Sequence, residues 1–491
     1  MGSLHEGHQQ LIRRAAVARS TGSPRVVVSV FVNPLQFGPG EDFEAYPRDL
    51  AHDLELAAAA GADAVFAPSL AEMYPAGESG LTRVQPPAVL QERLCGRHRP
   101  GHFDGVATVL CRLLSLLRPA RMLLGEKDWQ QLTVMRRVVA DLGLPVQLEG
   151  CATVRAPDGL ALSSRNRYLS PQQRHQALAL PEALAAVAAL HRQGERRADV
   201  LVAAVRSRLG AAGLAIDYVE IVQPHSLMPL EVATPSALLA VAVRCGPARL
   251  IDHCVLMSRP PIVAIDGPAG AGKSTVTKAL AQRLGLLYLD TGAMYRAVTW
   301  WVQQNGADPA DGAAVAPLMQ GIELRLEEGE AQGQRVWING REVSAEIRSP
   351  VVTAQVSQVA AHACVREALT RQQRAMGERG GLVAEGRDIG TAVFPDAECK
   401  VFLTATVAER ARRRAEDLRQ RGYEVPELAT LEAQIAERDR LDSSRAVAPL
   451  CRAPDAAELV TDGLGIEAVI ETLVDLFRER VSEEAWPGPG A

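Results

Sequence analysis

Residues 262–274 read IVAIDGPAGAGKS. The four apolar residues Ile262 to Ile265 make the short continuous run of a strand buried on both faces, and Gly267-x4-Gly272-Lys273-Ser274 follows directly. Glycines in such a loop let successive backbone N–H groups curl around phosphate oxygens, while the next helix turns its positive end toward them. Lys273 then reaches the terminal phosphates of a nucleotide, and Ser274 meets the Mg²⁺ that travels with it. Residues 275–284 place Val276, Ala279, Leu280 and Leu284 on one helical face. A strand before and a helix after argue against an ordinary glycine-rich turn. The loop starts past the middle of the chain, so a separate body of sequence precedes the nucleotide-binding part.

The chain has 491 residues, 47% of them hydrophobic, enough for two to four domains with full cores. A net charge of −5 gives no electrostatic grip on nucleic acid or an anionic membrane. The eight cysteines form no C-x-x-C pair or zinc spacing, as expected for reduced, buried thiols. No run of 18 apolar residues occurs, and the first residues, MGSLHEGHQQLIRR, lack a signal-peptide core. A soluble cytoplasmic protein is the expectation.

Residues 1–155 alternate helical patterns with short strand-like runs, the β-branched 26–32 and two further strand candidates at 64–67 and 121–124, which predicts a parallel α/β sheet. Residues 171–209 carry helical spacing, with strand-like 218–222 and 237–243 after them, the pattern of a small α+β domain. Ser258-Arg259-Pro260-Pro261 breaks the pattern, because paired prolines disfavour helix and remove backbone donors. The boundaries read 1–165, 166–258 and 259–491. Within the last part, a small antiparallel insert is expected at 321–344, with a tight turn at Asn339-Gly340. The tail from Trp486 onward is expected to fray.

The second half carries further polar clusters at strand ends. LDTGAMYR at 289–296 follows the second strand, GRDIG at 386–390 follows an apolar run, and Arg438, Asp442 and Arg445 share a helical pattern. Arginines facing aspartates suit a small phosphorylated acceptor, since guanidinium forks bind phosphate bidentately and carboxylates accept from a base amino group. Taken singly, each such Arg or Asp reads first as a surface ion pair, and only the set together points to a pocket.

With GPAGAGKST, LDTGAMYR, SQVAAHACVREAL, EGRDIGTAVFPDA and RDRLDSSRAVAPL in place, residues 261 onward resemble the bacterial cytidylate kinases, which are nucleoside monophosphate kinases. The resemblance implies a P-loop fold with ATP at Gly267, Gly270, Gly272, Lys273, Ser274 and Thr275. It implies CMP or dCMP held by Asp290, Thr291, Ser357, Arg366, Arg387, Asp388, Arg438, Asp442 and Arg445. An Arg-rich lid helix around 409–425 offers Arg410, Arg413 and Arg414 to the transferred group, a merely solvated basic face being the alternative.

In the first half, His5-Glu6-Gly7-His8 opens a helical pattern, and two histidines three apart can point along one face toward a bound phosphate. Such a pair can donate hydrogen bonds to an α-phosphate whose charge grows as pyrophosphate leaves, a metal pair or a surface pair being the alternatives. Gly125-Glu126-Lys127-Asp128 follows a strand, Ser163-Ser164-Arg165-Asn166 follows a turn, and ligands of open α/β sheets gather at strand carboxyl ends. Two His, a Lys and a Ser-Ser-Arg loop describe an ATP adenylylation site.

The segments MGSLHEGH, FVNPLQFG, EDFEAYPRD, RPGHFDGVATV, GEKDWQQL and DGLALSSRNRYLS resemble the pantothenate synthetases, or pantoate–β-alanine ligases, of the nucleotidyltransferase superfamily, across residues 1–257. The resemblance implies a Rossmann-like domain, a pantoyl-adenylate intermediate and a possible homodimer. Met1, Gly2, Ser3, Leu4, His5, Glu6, Gly7 and His8 would line ATP, with His8 the proton donor and His5 its companion. Gly125, Glu126, Lys127, Asp128, Val154, Leu162, Ser163, Ser164 and Arg165 would contact ATP as well. Gln36 and Gln131 would grip pantoate. Amide dipoles around that substrate leave its carboxylate nucleophilic, where a strong ion pair would blunt it.

Members of that family carry a few dozen residues ahead of this motif, including a first strand, whereas this chain opens at the motif's own methionine. A start upstream of Met1 is the reading favoured, because every later motif is intact. The whole predicts a bifunctional enzyme that needs Mg²⁺ with ATP. Two alternatives stand beside it: a kinase whose first half is an inactive folding or dimerisation module, and a nucleotide-sensing protein without turnover.

Overall fold

Seven described strands and the helices between them build the first of two compact units, Met1–Ser258 together with Ser482–Pro487; Arg259–Val481 make the second. The computed structural model describes residues 2–17, 25–327, 334–420, 422–445 and 447–487. Met1, Arg421, the middle of the antiparallel insert and the last four residues lie outside them.

In unit 1, β1 (Val27–Ser29) pairs in parallel with β2 (Ala64–Phe66), and β3 (Arg121–Gly125) pairs in parallel with β4 (Gln147–Cys151). The expected single sheet is thus two parallel pairs, and no ladder joins them among the described residues. The strand expected at 26–32 is only three residues long. Asn33 caps a 3-10 turn, Pro34–Gln36, and Pro34 at its first position ends the extended run.

β5 (Ala215–Val222), β6 (Ser236–Cys245) and β7 (Ala248–Met257) form an antiparallel meander. Alternation of side chains decides what each face buries. Val219, Ile221, Leu239, Val241 and Val243 pack on helices Ala179–Arg192 and Ala198–Ala211. Tyr218, Val222, Leu238, Ala240 and Ala242 pack against Trp129, Val134 and Met135 of helix Trp129–Leu142.

In unit 2, a five-stranded parallel sheet is built from β8 (Ile262–Asp266), β9 (Leu287–Asp290), β13 (Leu382–Gly386), β14 (Cys399–Thr404) and β15 (Ala457–Val460), and β10 (Leu324–Glu327), β11 (Arg335–Ile338) and β12 (Arg341–Glu342) form the antiparallel insert. The strand order β15-β14-β8-β13-β9 puts β8 at the centre. All five residues of β8 and of β13 are buried, the apolar reading of a parallel strand covered on both faces. Edge strands are less covered, with Leu287 and Val460 exposed. The loop after β8 therefore opens at the middle of the sheet's carboxyl edge, where such sheets bind ligands.

Two expectations need correcting. Arg445 is not on the helix with Arg438 and Asp442: that helix, Leu428–Ser443, ends at Ser444, and Arg445 folds back onto the Asp442 carboxylate. Trp486 does not fray. It belongs to Ser482–Pro487, whose Glu483 and Glu484 N–H groups donate to the buried Glu126 carboxylate at 3.1 and 3.4 Å, while Glu484 accepts from Thr153 N–H at 2.7 Å. No described helix is long and apolar enough to cross a membrane.

Candidate active sites

The unit 1 site starts close to Met1. A buried Asp53 carboxylate accepts the N–H groups of Ser3 and Leu4 at 2.9 and 2.6 Å, anchoring the residues that enter helix Glu6–Val17. His5 and His8 lie ring to ring, 4.1 Å between centroids. His8 Nδ1 accepts His5 N–H and His5 Nδ1 accepts Gly7 N–H, so each ring carries its proton on Nε2. Burial, then the nearby Lys127 ammonium, pulls His5 down to about 4. Burial first and the neighbouring His5 second hold His8 well below its ordinary value. Both imidazoles are neutral hydrogen-bond donors at neutral pH.

Lys127 sits on the 3-10 turn Glu126–Asp128, between β3 and helix Trp129–Leu142, whose first turn carries Gln131. A cavity of about 330 Å³ is lined by Lys127, Asp128, Gln131, Ser163 and Arg165 of the expected set, and by Glu41, Asp42, Arg99 and His102. Leu162 N–H donates to Val154 C=O at 2.9 Å, and the Leu162 side chain lies beside Gly7. Gln36 is not among the residues lining this cavity, but two of the wall residues hold the Gln36 backbone carbonyl: Arg99 Nη2 at 3.2 Å and His102 Nδ1 at 2.7 Å. Glu126 stands apart, its carboxylate turned to residues 483 and 484 and pushed up to about 7, first by burial and then by Glu484.

Several participants were quoted in motifs without a role. Asp42 binds Arg165 through both oxygens at 2.7 and 3.0 Å, Tyr46 meets Ser164 Oγ at 2.9 Å, and Arg165 lies over the Tyr46 ring. The segment EDFEAYPRD therefore orders the Ser-Ser-Arg loop. Glu41 does the same for Arg99, at 2.6 and 2.7 Å.

In unit 2, a side chain at Gly267 would put its Cβ 2.0 Å from the Leu403 carbonyl oxygen, so only glycine lets the loop leave β8 here. Lys273 begins helix Lys273–Leu284 and donates to the carbonyls of Gly267 and Pro268 at 2.8 Å each. Burial, and next Arg387, pulls Lys273 down to about 7. Ser274 is exposed at the helix start, next to Glu385 and Tyr288. Tyr288 donates to Glu385 at 2.5 Å. Asp266 accepts the N–H groups of Ile389 and Gly390 at 2.7 Å, and burial raises it to about 6.

Asp442 is the hub of the expected acceptor pocket. It holds Arg387 at 3.0 Å, Arg445, and Ser357 at 3.5 Å. Arg366 pairs with Asp388, and its guanidinium lies 5.5 Å from the Tyr295 ring centroid. Burial lowers Arg438 to about 10, with Arg387 the next cause. Four guanidiniums thus face two carboxylates, and buried Nε atoms of Arg366, Arg438 and Arg445 have no hydrogen-bond partner. A dianion would settle both the charge and the donors. Asp290 caps helix Thr291–Gln304, accepting Ala293 N–H at 2.8 Å, and pairs with Arg296, while Thr291, the first residue of that helix, donates through Oγ1 to Glu385 C=O.

The three lid arginines divide. Arg410 bonds Asp439 at 2.6 and 3.0 Å and the Ala269 carbonyl of the loop at 3.1 Å. Arg413 reaches the Ala271 carbonyl and Thr461. Arg414 pairs with Asp417 on the exposed face. Among the described residues, no cluster of three or more His, Cys, Asp or Glu is placed to hold a metal ion.

A family model for pantoate–β-alanine ligase matches residues 1–255, and one for cytidylate kinase matches residues 263–479. A bifunctional pantoate ligase/cytidylate kinase of Prochlorococcus marinus (strain MIT 9303) is 62% identical over all of both chains. Its counterpart in Parasynechococcus marenigrum (strain WH8102) is 63% identical, covering 100% of this chain and 95% of its own. The crystal structure of pantothenate synthetase from Thermus thermophilus is 49% identical over 52% of this chain and 91% of that one, with a TM-score of 0.50. With both family models matched in tandem and full-length relatives about this similar, the chain belongs to the bifunctional pantoate ligase/cytidylate kinase family.

Proposed function

We propose that unit 1 condenses pantoate with β-alanine and that unit 2 transfers the γ-phosphoryl group of ATP to CMP or dCMP. In unit 1, the pantoate carboxylate oxygen attacks the α-phosphorus of ATP and pyrophosphate leaves. The β-alanine amine then attacks the acyl carbon, AMP departs with the bonding pair, and the amine proton is released. His5 and His8 donate from Nε2 to phosphate oxygens, and Lys127 offsets the charge that grows on them. Gln36 and Gln131 hold pantoate through neutral amides, and the Ser163–Arg165 loop, ordered by Asp42 and Tyr46, closes on the nucleotide.

In unit 2, the surplus of guanidiniums over carboxylates around Asp388 and Asp442, with buried Nε atoms of Arg366, Arg438 and Arg445 left without partners, is the observation that carries the reading. They hold the acceptor phosphate in line with the γ-phosphorus, and Ser357, Asp388 and Asp442 read base and sugar. Positioning and neutralisation supply most of such a transfer. Arg410 and Arg413, already on the loop carbonyls, are the lid groups nearest the phosphates. The donor set fits Mg²⁺: Ser274 is an exposed hydroxyl residue at the helix start, and Asp266 and Glu385 are buried carboxyls raised by burial. Held with ATP at Ser274, such an ion would neutralise negative charge on the phosphates. We assign the ligase to 1–258, with its nucleotide part at 1–165 and with residues 482–487 packed on it, and the kinase to 259–481, in the cytoplasm.

The test is ³¹P NMR of the full chain with Mg²⁺-ATP. AMP and pyrophosphate should appear only with pantoate, and CDP only with CMP. In Lys273→Ala, CDP formation should fall by about 100-fold or more while pantothenate formation persists. Intact ATP in the presence of pantoate and β-alanine would leave unit 1 a non-catalytic module.

A further inference from the structure

A carboxamide has two ends of nearly equal shape and opposite hydrogen-bonding sense, so a glutamine that grips a substrate must be told which end to present. In unit 1, Asn33 settles this for Gln36. Asn33 is 3% exposed, and its Oδ1 accepts Leu35 N–H at 3.3 Å while its Nδ2 donates to Gly105 C=O at 3.1 Å. A backbone N–H only donates and a carbonyl only accepts, so the Asn33 amide has one orientation. Its remaining Nδ2 hydrogen goes to Gln36 Oε1 at 3.2 Å. Gln36 thereby spends its carbonyl within the protein, and Nε2 has no partner among the described residues.

Two further contacts hold the relay. The Tyr74 hydroxyl, on a side chain 4% exposed, donates to Asn33 Oδ1 at 2.8 Å. Gly105 approaches so closely that a Cβ there would sit 2.2 Å from Leu35 O and 2.6 Å from Gln36 N. Helix His102–Leu117 thus brings its Gly105 carbonyl directly onto the Pro34–Gln36 turn.

We propose that Tyr74 is a positioning residue for the ligase: acting through Asn33, it fixes the Gln36 amide so that two N–H donors face the carboxylate and hydroxyl oxygens of pantoate. This rests on the reading of Gln36 as a pantoate contact. Tyr74 itself touches no substrate. The relay selects an acceptor-bearing acid and turns away a ligand that presents a donor at that point.

The experiment is steady-state kinetics of pantothenate formation by the full chain, with KM resolved for each substrate. Tyr74→Phe should raise the pantoate KM by about 3- to 10-fold, the scale of one lost hydrogen bond, with ATP and β-alanine KM unchanged. Asn33→Asp, which cannot donate to Gln36 Oε1, should raise it further. In a Gln36→Ala background, Tyr74→Phe should add nothing to the pantoate KM, because the path it acts through is gone. An equal penalty in both backgrounds, or a matching rise in the ATP KM, would show a merely structural tyrosine and overturn the proposal. If Gln36→Ala alone leaves the pantoate KM unchanged, the Gln36 assignment fails. If the wild-type chain makes no pantothenate, the functional reading fails instead.

Discussion

His5 refuses a proton that it would accept in the unfolded chain, and the cause is where it sits: burial first, then the Lys127 ammonium. Its value falls from 6.5 to about 4, so between those two pH values the unfolded state binds more protons than the folded one. The stability contribution is therefore full above pH 6.5 and is lost as pH falls toward about 4. Unit 1 should melt at lower temperature at about pH 5 than at about pH 7, and His5→Gln should shrink that difference. An unchanged difference in the variant would show that His5 is not buried as described. The two histidines themselves were legible in the sequence, being three residues apart at a helix start. Their protonation sites were not, because these depend on backbone N–H groups whose directions only the fold decides. Asp53 is a stronger instance. It lies 50 residues from Ser3 in a surface-like helical pattern, and nothing local marks it as the anchor of Ser3 and Leu4.

At the scale of elements, legibility tracks sequence separation. The strand, loop and helix around Gly267 are contiguous, so hydrophobic period and glycine spacing were enough. The Ser-Ser-Arg loop depends on Asp42, 123 residues away, and an ion pair at that distance leaves no periodic signal. Helix Leu428–Ser443 shows the intermediate case: Arg438 and Asp442 were visible as one face, whereas Arg445 reaches the same carboxylate from outside the helix. Asp442→Asn keeps the shape but leaves Arg387, Arg438 and Arg445 with little to offset their repulsion. Expected is a rise in CMP KM on the order of 10-fold or more with ATP KM unchanged, read from coupled-assay kinetics. A CMP KM within about twofold of the parent would remove Asp442 from the centre of the pocket.

At the scale of the molecule, the two activities sit in units with separate cores, and the ligase unit is discontinuous in sequence. Residues 482–487 cap Glu126, and Glu483 binds Arg14 at 2.6 Å and accepts Ala152 N–H at 3.2 Å. Removing residues 482–491 strips those partners. Unit 1 should then melt several degrees lower, with kinase turnover kept, as calorimetry and a CMP kinase assay would show. No loss of unit 1 stability would make the segment an ornament.

The same discontinuity sets a timetable for synthesis. Chains emerge from the ribosome amino terminus first, at roughly 5–20 residues per second, so Glu126 waits while all of Arg259–Val481 is made. For about 10 to 45 seconds the nascent ligase holds an open seat, and it is filled by residues that the ribosome reaches only after the whole kinase unit is made.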